Sequence, residues 1–343
     1  MAGGSAAWLA TNAPWRGGAG AWTRFVPFVV LALLGLVPFV AGEYLQDLVV
    51  RIMILAIFAL SLELLVGTTG LVSLGHAAFL GIGAYATVLA APKSGAGSLV
   101  VLLVFAMLCA GAYALAVGAL SLRTRGVYFI MVTLAFAQMA YFVFHDTRLG
   151  GGSDGIYLDV KPVLGRLVDL KNHGHFYAFA LAALVATYAF LAVLLRSRFG
   201  AALAGIRVNE QRMRAVGFQT YAYKLAAFVI AGMLAGLAGF LIATRDGFVN
   251  PEMLAWQESG TVLLMLILGG LGSLRGAVLG AVAFTLLKEL YSSQGLVGPL
   301  ADHWQLTLGL TIIAFVALLP KGLIGLPAQL RRRPRLFEVA GDD

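Results

Sequence analysis

The sequence predicts an all-α integral membrane protein with about ten transmembrane helices and both termini in the cytoplasm. Three observations lead to this prediction. Hydrophobic residues make up 60% of the 343 residues and charged residues only 12%, about half the charged share of a soluble domain. Long apolar runs recur along the chain, and roughly 20 apolar residues are what a helix needs to cross a bilayer. The basic residues, which give a formal net charge of +8, are unevenly distributed among the loops.

Ten apolar segments are long enough to be candidate spans. Because lipid offers no hydrogen-bond partner to backbone N–H and C=O groups, each segment is predicted to be a helix. The first is too long for the core of a signal peptide and is predicted to be a retained span. The predicted segments are 25–42, 45–66, 77–91, 99–121, 127–145, 176–195, 223–243, 259–271, 276–291 and 304–320.

The basic residues of the loops predict the orientation. With the N-terminus in the cytoplasm, sixteen Lys and Arg residues fall on the cytoplasmic side and six on the other. Cytoplasmic loops normally carry this excess, and an even number of spans returns the C-terminus to the same side. The predicted organisation is a cytoplasmic segment at 1–24, a transmembrane domain at 25–326 and a basic cytoplasmic tail at 327–343.

Two predicted loops are longer than the others. The outward loop 146–175 contains a glycine-rich run with turn chemistry; we interpret it as a solvated connector, with the docking of a soluble partner as the alternative. The inward loop 196–222 is rich in arginine, and its residues 203–216 are predicted to form a short amphipathic helix. The alternative for this loop is a topological role in contact with anionic lipid.

The sequence lacks the motifs of several enzyme classes. No G-x-x-x-x-G-K-[ST] loop occurs, so no nucleotide site of that kind is predicted in this chain. A G-x-G-x-x-A match at Gly81 lies inside an apolar segment, where small residues serve helix packing. His173 and His175 have no third ligand nearby, and Cys109 is the only cysteine, so no metal site is predicted. Transport or conduction is the class that remains, and no enzyme is predicted.

Few ionisable residues fall within the predicted spans, although ion-driven transporters usually place several there. Asp47 and Arg51 are four residues apart on one helix and are predicted to pair. Lys288 and Glu289 flank the outer end of the ninth segment. Glu63 is an isolated acid close to a glycine-rich stretch, where it either has a function or reaches the inner interface. An ion carried by this subunit is therefore not the predicted energy source.

Three stretches at membrane depth concentrate glycine and hydroxyl residues. The stretch 232–239 is predicted to be a small-residue face for close helix contact. The other two predict short or broken helices near 67–76 and 259–291, since glycine permits an unwound turn. The glycines predicted to form these breaks are Gly70, Gly75, Gly269, Gly270 and Gly272.

Four ordered blocks of the sequence resemble a known family. SLGHAAF at 73–79 with GIGAY at 81–85 resembles the N-terminal signature of permease subunits of bacterial branched-chain amino acid ABC transporters, of the LivM type. The inward loop and the start of the next span, GFVNPE with the later GGLGS run, and PKGLIG near the C-terminus resemble the other blocks. The wider family includes permeases for urea and short amides.

The resemblance implies a bacterial inner-membrane importer subunit that pairs with a homologous permease, two cytoplasmic ATPases and a periplasmic binding protein. ATP and Mg²⁺ would be held by the ATPases, and the resemblance implies no cofactor in this chain and no nucleic acid partner. The branched-chain amino acids are the expected substrates, with urea, short amides or another small organic acid as alternatives. A stand-alone channel or an ion-coupled carrier is the alternative of another class.

Two sets of site residues follow. The resemblance places the ATPase-coupling helix in the inward loop, with Arg207, Glu210, Arg212 and Gly217 as its coupling residues. Polarity at a glycine break motivates the prediction that three residues lie beside the substrate path. Its members are Glu63, Ser73 and His76.

Overall fold

The structure, a computed structural model, describes most of the predicted transmembrane domain. The segments 1–24 and 327–343 lie outside the described residues, as does most of the first predicted span at 25–42. The described residues are 34–38, 42–92, 97–158, 160, 162–164, 168–170, 172–319 and 322–326.

Every predicted segment from the second to the tenth coincides with a helix. Two further helices, α6 (Arg198–Val208) and α7 (Glu210–Ala215), occupy the predicted inward loop. The side-chain oxygens of Ser197 and Asn209 cap their first turns. The α-helices are α1 (Glu43–Glu63), α2 (His76–Ala90), α3 (Leu99–Ser121), α4 (Val127–Asp146), α5 (His173–Arg196), α6 (Arg198–Val208), α7 (Glu210–Ala215), α8 (Thr220–Asp246), α9 (Trp256–Gly269), α10 (Leu274–Ser292), α11 (Gln294–Val297) and α12 (Trp304–Leu318).

The all-α membrane class is confirmed, whereas the number of crossings stays a prediction. Among the described residues, six helical stretches are long and apolar enough to cross a membrane. Helices α9 and α10 meet at a break and are bent by 113°, and α2 has only 15 residues. Ten complete spans and two cytoplasmic termini therefore remain predictions, because apolar length alone does not separate a full span from a half-span.

Both predicted glycine breaks are present. Helix α1 continues as a π-helix, Leu64–Thr69, and ends at Gly70, whose φ of 74° lies in the left-handed region that favours glycine. The second break joins α9 to α10 through Gly270 and Gly272, with φ values of 110° and 88°. The chain therefore leaves helical geometry at two places between long apolar helices.

Helix α8 lies at the centre of the packing and contacts α1, α2 and α3. Its predicted small-residue face is confirmed. A Cβ atom at Gly239 would lie 2.0 Å from the Leu80 carbonyl oxygen, and one at Gly236 would lie 2.6 Å from the Cβ of Ala110. These glycines let three helix backbones approach more closely than larger side chains permit.

The outward loop is tied to the end of α8. Strand β1 (Ile156–Tyr157) pairs antiparallel with β4 (Phe248–Val249), which follows α8 directly. The Leu158 amide donates to the Gly247 carbonyl oxygen at 2.9 Å. A second hairpin within the loop pairs β2 (Val163–Leu164) with β3 (Val168–Asp169). The described residues of the loop thus include two short strand pairings, and its role as a solvated connector or a docking site stays a prediction.

The predicted pairing of Asp47 with Arg51 is wrong as an account of the structure. Asp47 instead accepts two hydrogen bonds from the Arg245 guanidinium, one of them from Nε at 3.0 Å. The planar fork of arginine suits bidentate pairing with a carboxylate, which one helical turn on the same helix does not provide as well. This pair joins the start of α1 to the end of α8.

We expect Gly239→Ala to destabilise the fold by about 1–3 kcal/mol, because the new methyl group forces α8 away from α2. The matched control is Gly260→Ala on α9, where a Cβ meets no atom within 4 Å. Thermal unfolding of the two purified variants in one detergent measures the difference. Equal midpoints for the two variants would contradict the close packing described here.

Candidate functional site

The two glycine breaks meet at Glu63, the last residue of α1. Its side chain is 2% exposed and lies close to the backbone N–H groups of Gly272 and Ser273, at the start of α10. A helix start presents free N–H groups and a partial positive charge, so it stabilises a nearby acid. Within the described part of the chain, Oε2 of Glu63 has no hydrogen-bond partner. Glu63 therefore connects the first break to the second.

Arg207 of α6 reaches the same place from the inward loop. Its Nη1 donates a hydrogen bond to the Gly67 carbonyl oxygen in the π-helix. Nη1 also lies 3.8 Å from where a Cβ atom of Gly272 would be, and its charge acts on Glu63. One cation thus contacts the first break and lies against the second. We name the group Glu63, Gly67, Arg207, Gly272 and Ser273 the break cluster.

Ser73 and His76, predicted beside the substrate path, are both fully buried. His76 Nε2 is 2.8 Å from the Ser61 hydroxyl oxygen, and its ring stacks on Phe58 at a centroid distance of 5.4 Å. The Ser73 hydroxyl accepts a hydrogen bond from the Gly75 amide at 3.2 Å. In this conformation both side chains are enclosed by the chain itself, and their role in a substrate path stays a prediction.

The other break glycines are positions without room for a side chain. A Cβ atom at Gly75 would lie 2.3 Å from the Thr133 carbonyl oxygen, and one at Gly269 would lie 1.9 Å from that of Gly276. Beyond Gly75, the Ala77 amide donates to the Ser259 hydroxyl at 2.8 Å, so the start of α2 is held by α9. At Gly75 and Gly269 the two breaks are therefore packed against neighbouring backbone, whereas Gly70 and Leu271 within them are exposed.

The inward loop forms a compact element, 197–220, which we call the coupling segment. Glu210 accepts hydrogen bonds from Arg214 at 2.5 Å and from the Thr220 hydroxyl at 3.0 Å, and Lys224 Nζ lies 3.0 Å away. Burial raises the pKa of Glu210, but the hydrogen bonds and charges of Lys224, Thr220 and Arg214 outweigh it and lower the pKa to about 2. Glu210 thereby fixes α7 to the start of α8.

The predicted coupling residues divide into an inner and an outer set. Glu210 and Arg207 hydrogen-bond to other parts of this chain, although Arg207 is itself exposed, whereas Arg212 is exposed and forms the outer set with Gly217. Val208 and Val216, four positions either side of Arg212 in the chain, are 68% and 70% exposed. Gly217 is exposed in the left-handed region with a φ of 95°.

Two cavities adjoin these elements. The first has a volume of ≈ 410 Å³ and lies beside the coupling segment, between Arg207, Glu210 and Arg125. The second has a volume of ≈ 690 Å³ and lies toward the opposite ends of the helices, lined by Arg51, Glu258 and Lys288 among others. We call it the outer cavity. The sequence alone does not predict that these three charged residues lie together. A signal was present, however, because Arg51 and Lys288 are cations within predicted spans, and such cations are rare and usually functional.

The structure offers little for a metal ion. In the described ranges, no three or more His, Cys, Asp or Glu residues are grouped so that they could hold one.

The chain was compared with known proteins. The profile described as "Branched-chain amino acid transport system / permease component" matches residues 44–317. "High-affinity branched-chain amino acid transport system permease protein LivM" of Escherichia coli (strain K12) is 31% identical over 322 residues, 87% of this chain and 74% of that protein. The protein of that description from Salmonella typhimurium is 31% identical over 310 residues, 84% and 71% of the two chains.

A shorter match is to "Autoinducer 2 import system permease protein LsrC" of Escherichia coli O9:H4 (strain HS). It is 32% identical over 108 residues, which are 30% of this chain and 32% of that protein. No solved structure matches the chain.

The ion pairs of Glu210 predict a pH dependence for the coupling segment. Because its pKa of about 2 lies below the ordinary 4.5, the pairs stabilise the segment above pH 4.5. That stabilisation is lost as the pH falls through the interval from 4.5 to about 2. Hydrogen-exchange protection factors of amides 211–217 should therefore be constant between pH 8 and pH 5.

The variant Glu210→Gln should show lower protection of these amides throughout that range. Glu252→Gln, which neutralises an exposed acid in the loop after α8, is the control and should match the wild type. Unchanged protection in Glu210→Gln would contradict the proposed anchoring of α7.

Proposed function

This chain belongs to the family of branched-chain amino acid transport permeases, and from that premise we propose that it forms half of the translocation path of an ABC importer. The family resemblance of the four sequence blocks is confirmed by the profile match and by the LivM relatives. In the proposal, a homologous permease forms the other half in the bacterial inner membrane. Two cytoplasmic ATPases supply the energy, and a periplasmic binding protein delivers the solute.

The observation that carries this proposal is the contact of Arg207 with the π-helix. The coupling segment is held to the start of α8 by Glu210 and reaches the break cluster through Arg207. A movement of the segment therefore acts on the place where α1 and α9–α10 depart from regular helix. In many transporters, substrate sites are formed at such broken helices, and access alternates by rigid-body rocking of helix bundles around them.

The exposed residues of the coupling segment support the proposal of ATPase partners. Val208 and Val216 expose apolar surface beside Arg212 on the side that is predicted to be cytoplasmic. The sequence contains no phosphate-binding loop that would let the chain drive transport itself. In the proposal ATP and Mg²⁺ are bound by the ATPases, and Arg212 and Gly217 lie in the interface with one of them.

The proposed substrates are branched-chain amino acids, because both LivM relatives are described as permeases for them and match this chain over most of their own length. The LsrC match covers 30% of this chain and supports only the wider permease family. Urea, short amides and other small organic acids are the alternatives within that family. A stand-alone channel or ion-coupled carrier is the alternative from another class.

A reconstituted transport assay tests the function. Vesicles that contain this chain with the permease, ATPases and binding protein encoded beside it should accumulate leucine only when ATP and the binding protein are present. Urea, acetamide and propionate tested in parallel separate the alternative substrates. Leucine flux through vesicles that contain this chain alone, without ATP, would favour the channel or carrier.

The variant Arg207→Ala tests the link between the coupling segment and the break. Losing a hydrogen bond from a charged group costs about 1.5–3 kcal/mol, so we expect leucine uptake to fall about tenfold or more. ATP hydrolysis should stay within about twofold of the wild type, since the outer set is untouched.

The matched control is Arg198→Ala, which removes an exposed arginine from the same helix. Equal falls in uptake and hydrolysis in Arg207→Ala would indicate lost ATPase docking and contradict a separate role in the break cluster.

A further inference from the structure

The outer cavity lies between five helices. Arg51 of α1, Ile242 of α8, Glu258 of α9, Lys288 of α10 and Trp304 of α12 all line it. Arg51 is in the first half of α1, Glu258 is near the start of α9 and Lys288 is near the end of α10, so the cavity opens at one end of the bundle. The Asp47–Arg245 pair lies at that same end, the predicted outer side. Its ≈ 690 Å³ falls within the roughly 300–1,000 Å³ of small-molecule sites.

Five charged residues line the cavity. Arg245 and Asp246 pair with each other at 3.4 Å, whereas Arg51, Glu258 and Lys288 do not neutralise one another. Glu258 is near enough to Lys288 and Arg51 to feel both charges. Among the described residues, however, no ion pair within 4 Å joins Glu258 to either cation. Lys288 Nζ instead lies over the Trp304 ring, 5.1 Å from its centroid. Two cations and one carboxylate are thus available to a molecule that carries both signs of charge.

The remaining wall is mainly apolar. Ile54, Met265 and Phe284 are buried residues that line the cavity between the charged groups. Burying an aliphatic side chain against such a wall is favourable, because it removes apolar surface from water. The cavity therefore combines a charged rim for a zwitterion with an apolar wall for a hydrocarbon group.

We propose that the outer cavity is a transient binding site for an aliphatic α-amino acid. The carboxylate is bound by Arg51 and Lys288, the ammonium group by Glu258, and the side chain lies against Ile54, Met265 and Phe284. This inference rests on the proposed function and adds to it a site within the permease itself. Binding is weak, because a site on a transport path must also release its solute.

Phosphatidylethanolamine carries a phosphate and an ammonium group and would satisfy the same charges. The proposal commits to the amino acid, and lipid is separated from it by the composition of the bilayer. Full-length chain is reconstituted in nanodiscs of phosphatidylglycerol alone or with phosphatidylethanolamine. Leucine should bind saturably in both, as measured by saturation-transfer difference NMR. Absence of leucine binding in both bilayers would overturn the proposal.

Two analogues report the two charged ends separately. 4-Methylpentanoate lacks the ammonium group of leucine, and 3-methylbutylamine lacks its carboxylate. Glu258→Gln should weaken leucine and the amine by about tenfold while leaving the carboxylate unchanged. Arg51→Gln should weaken leucine and the carboxylate by a similar factor while leaving the amine unchanged. Loss of both analogues in either variant would contradict the assignment, because it indicates a collapsed cavity.

The control variant is Glu289→Gln, which removes an acid next to Lys288 that contacts Tyr44 and does not line the cavity. It should bind leucine as the wild type does. Wild-type leucine binding in both Glu258→Gln and Arg51→Gln, with normal ATP-driven uptake, would overturn the site and leave the proposed function intact. ATP-independent flux with leucine still bound by these residues would overturn the function and leave the site intact.

Discussion

The constraint on which the structure depends is that backbone groups released from a helix inside a membrane must find partners within the protein. The chain interrupts its helices twice, at 64–75 and at 270–273, and brings the two interruptions together. Glu63 faces the N–H groups at one, and Arg207 contacts a carbonyl at the other. The two side chains provide hydrogen-bond partners of the kind that water provides at a loop in solution. The second break finds its partner in Glu63 at the end of α1, and the first finds its partner in Arg207 of α6.

The few charged residues outside the breaks also connect separate elements of the chain. Asp47 and Arg245 join the start of α1 to the end of α8. Glu210 and Lys224 join the coupling segment to the start of the same helix. Ionic contacts thus mark both ends of α8, while the glycines in its middle allow close approach of neighbouring backbones. The charged residues thus connect α8 to other elements, and its glycines let neighbouring helices pack closely against it.

Apolar run length was sufficient to predict the helices, because a membrane imposes the same requirement on every span. Glycine content was sufficient to locate both breaks. The pairing of Asp47 was not predictable, since its partner lies 198 positions away and Arg51 is an equally charged neighbour. The outer cavity is formed by residues of α1, α8, α9, α10 and α12, whose relative placement no local pattern encodes. The 113° bend likewise depends on packing between non-adjacent helices.

The antiparallel pairing of β1 with β4 attaches the end of α8 to the loop 146–175 on the predicted outer side. A helix of 27 residues extends about 40 Å and is stiff over that length. One of its ends is hydrogen-bonded to the outward loop through Gly247, and the other is bound by Glu210 through Lys224. Helix α8 is therefore held at both of its ends by contacts to other segments, a two-residue strand pairing at one end and an ion pair at the other.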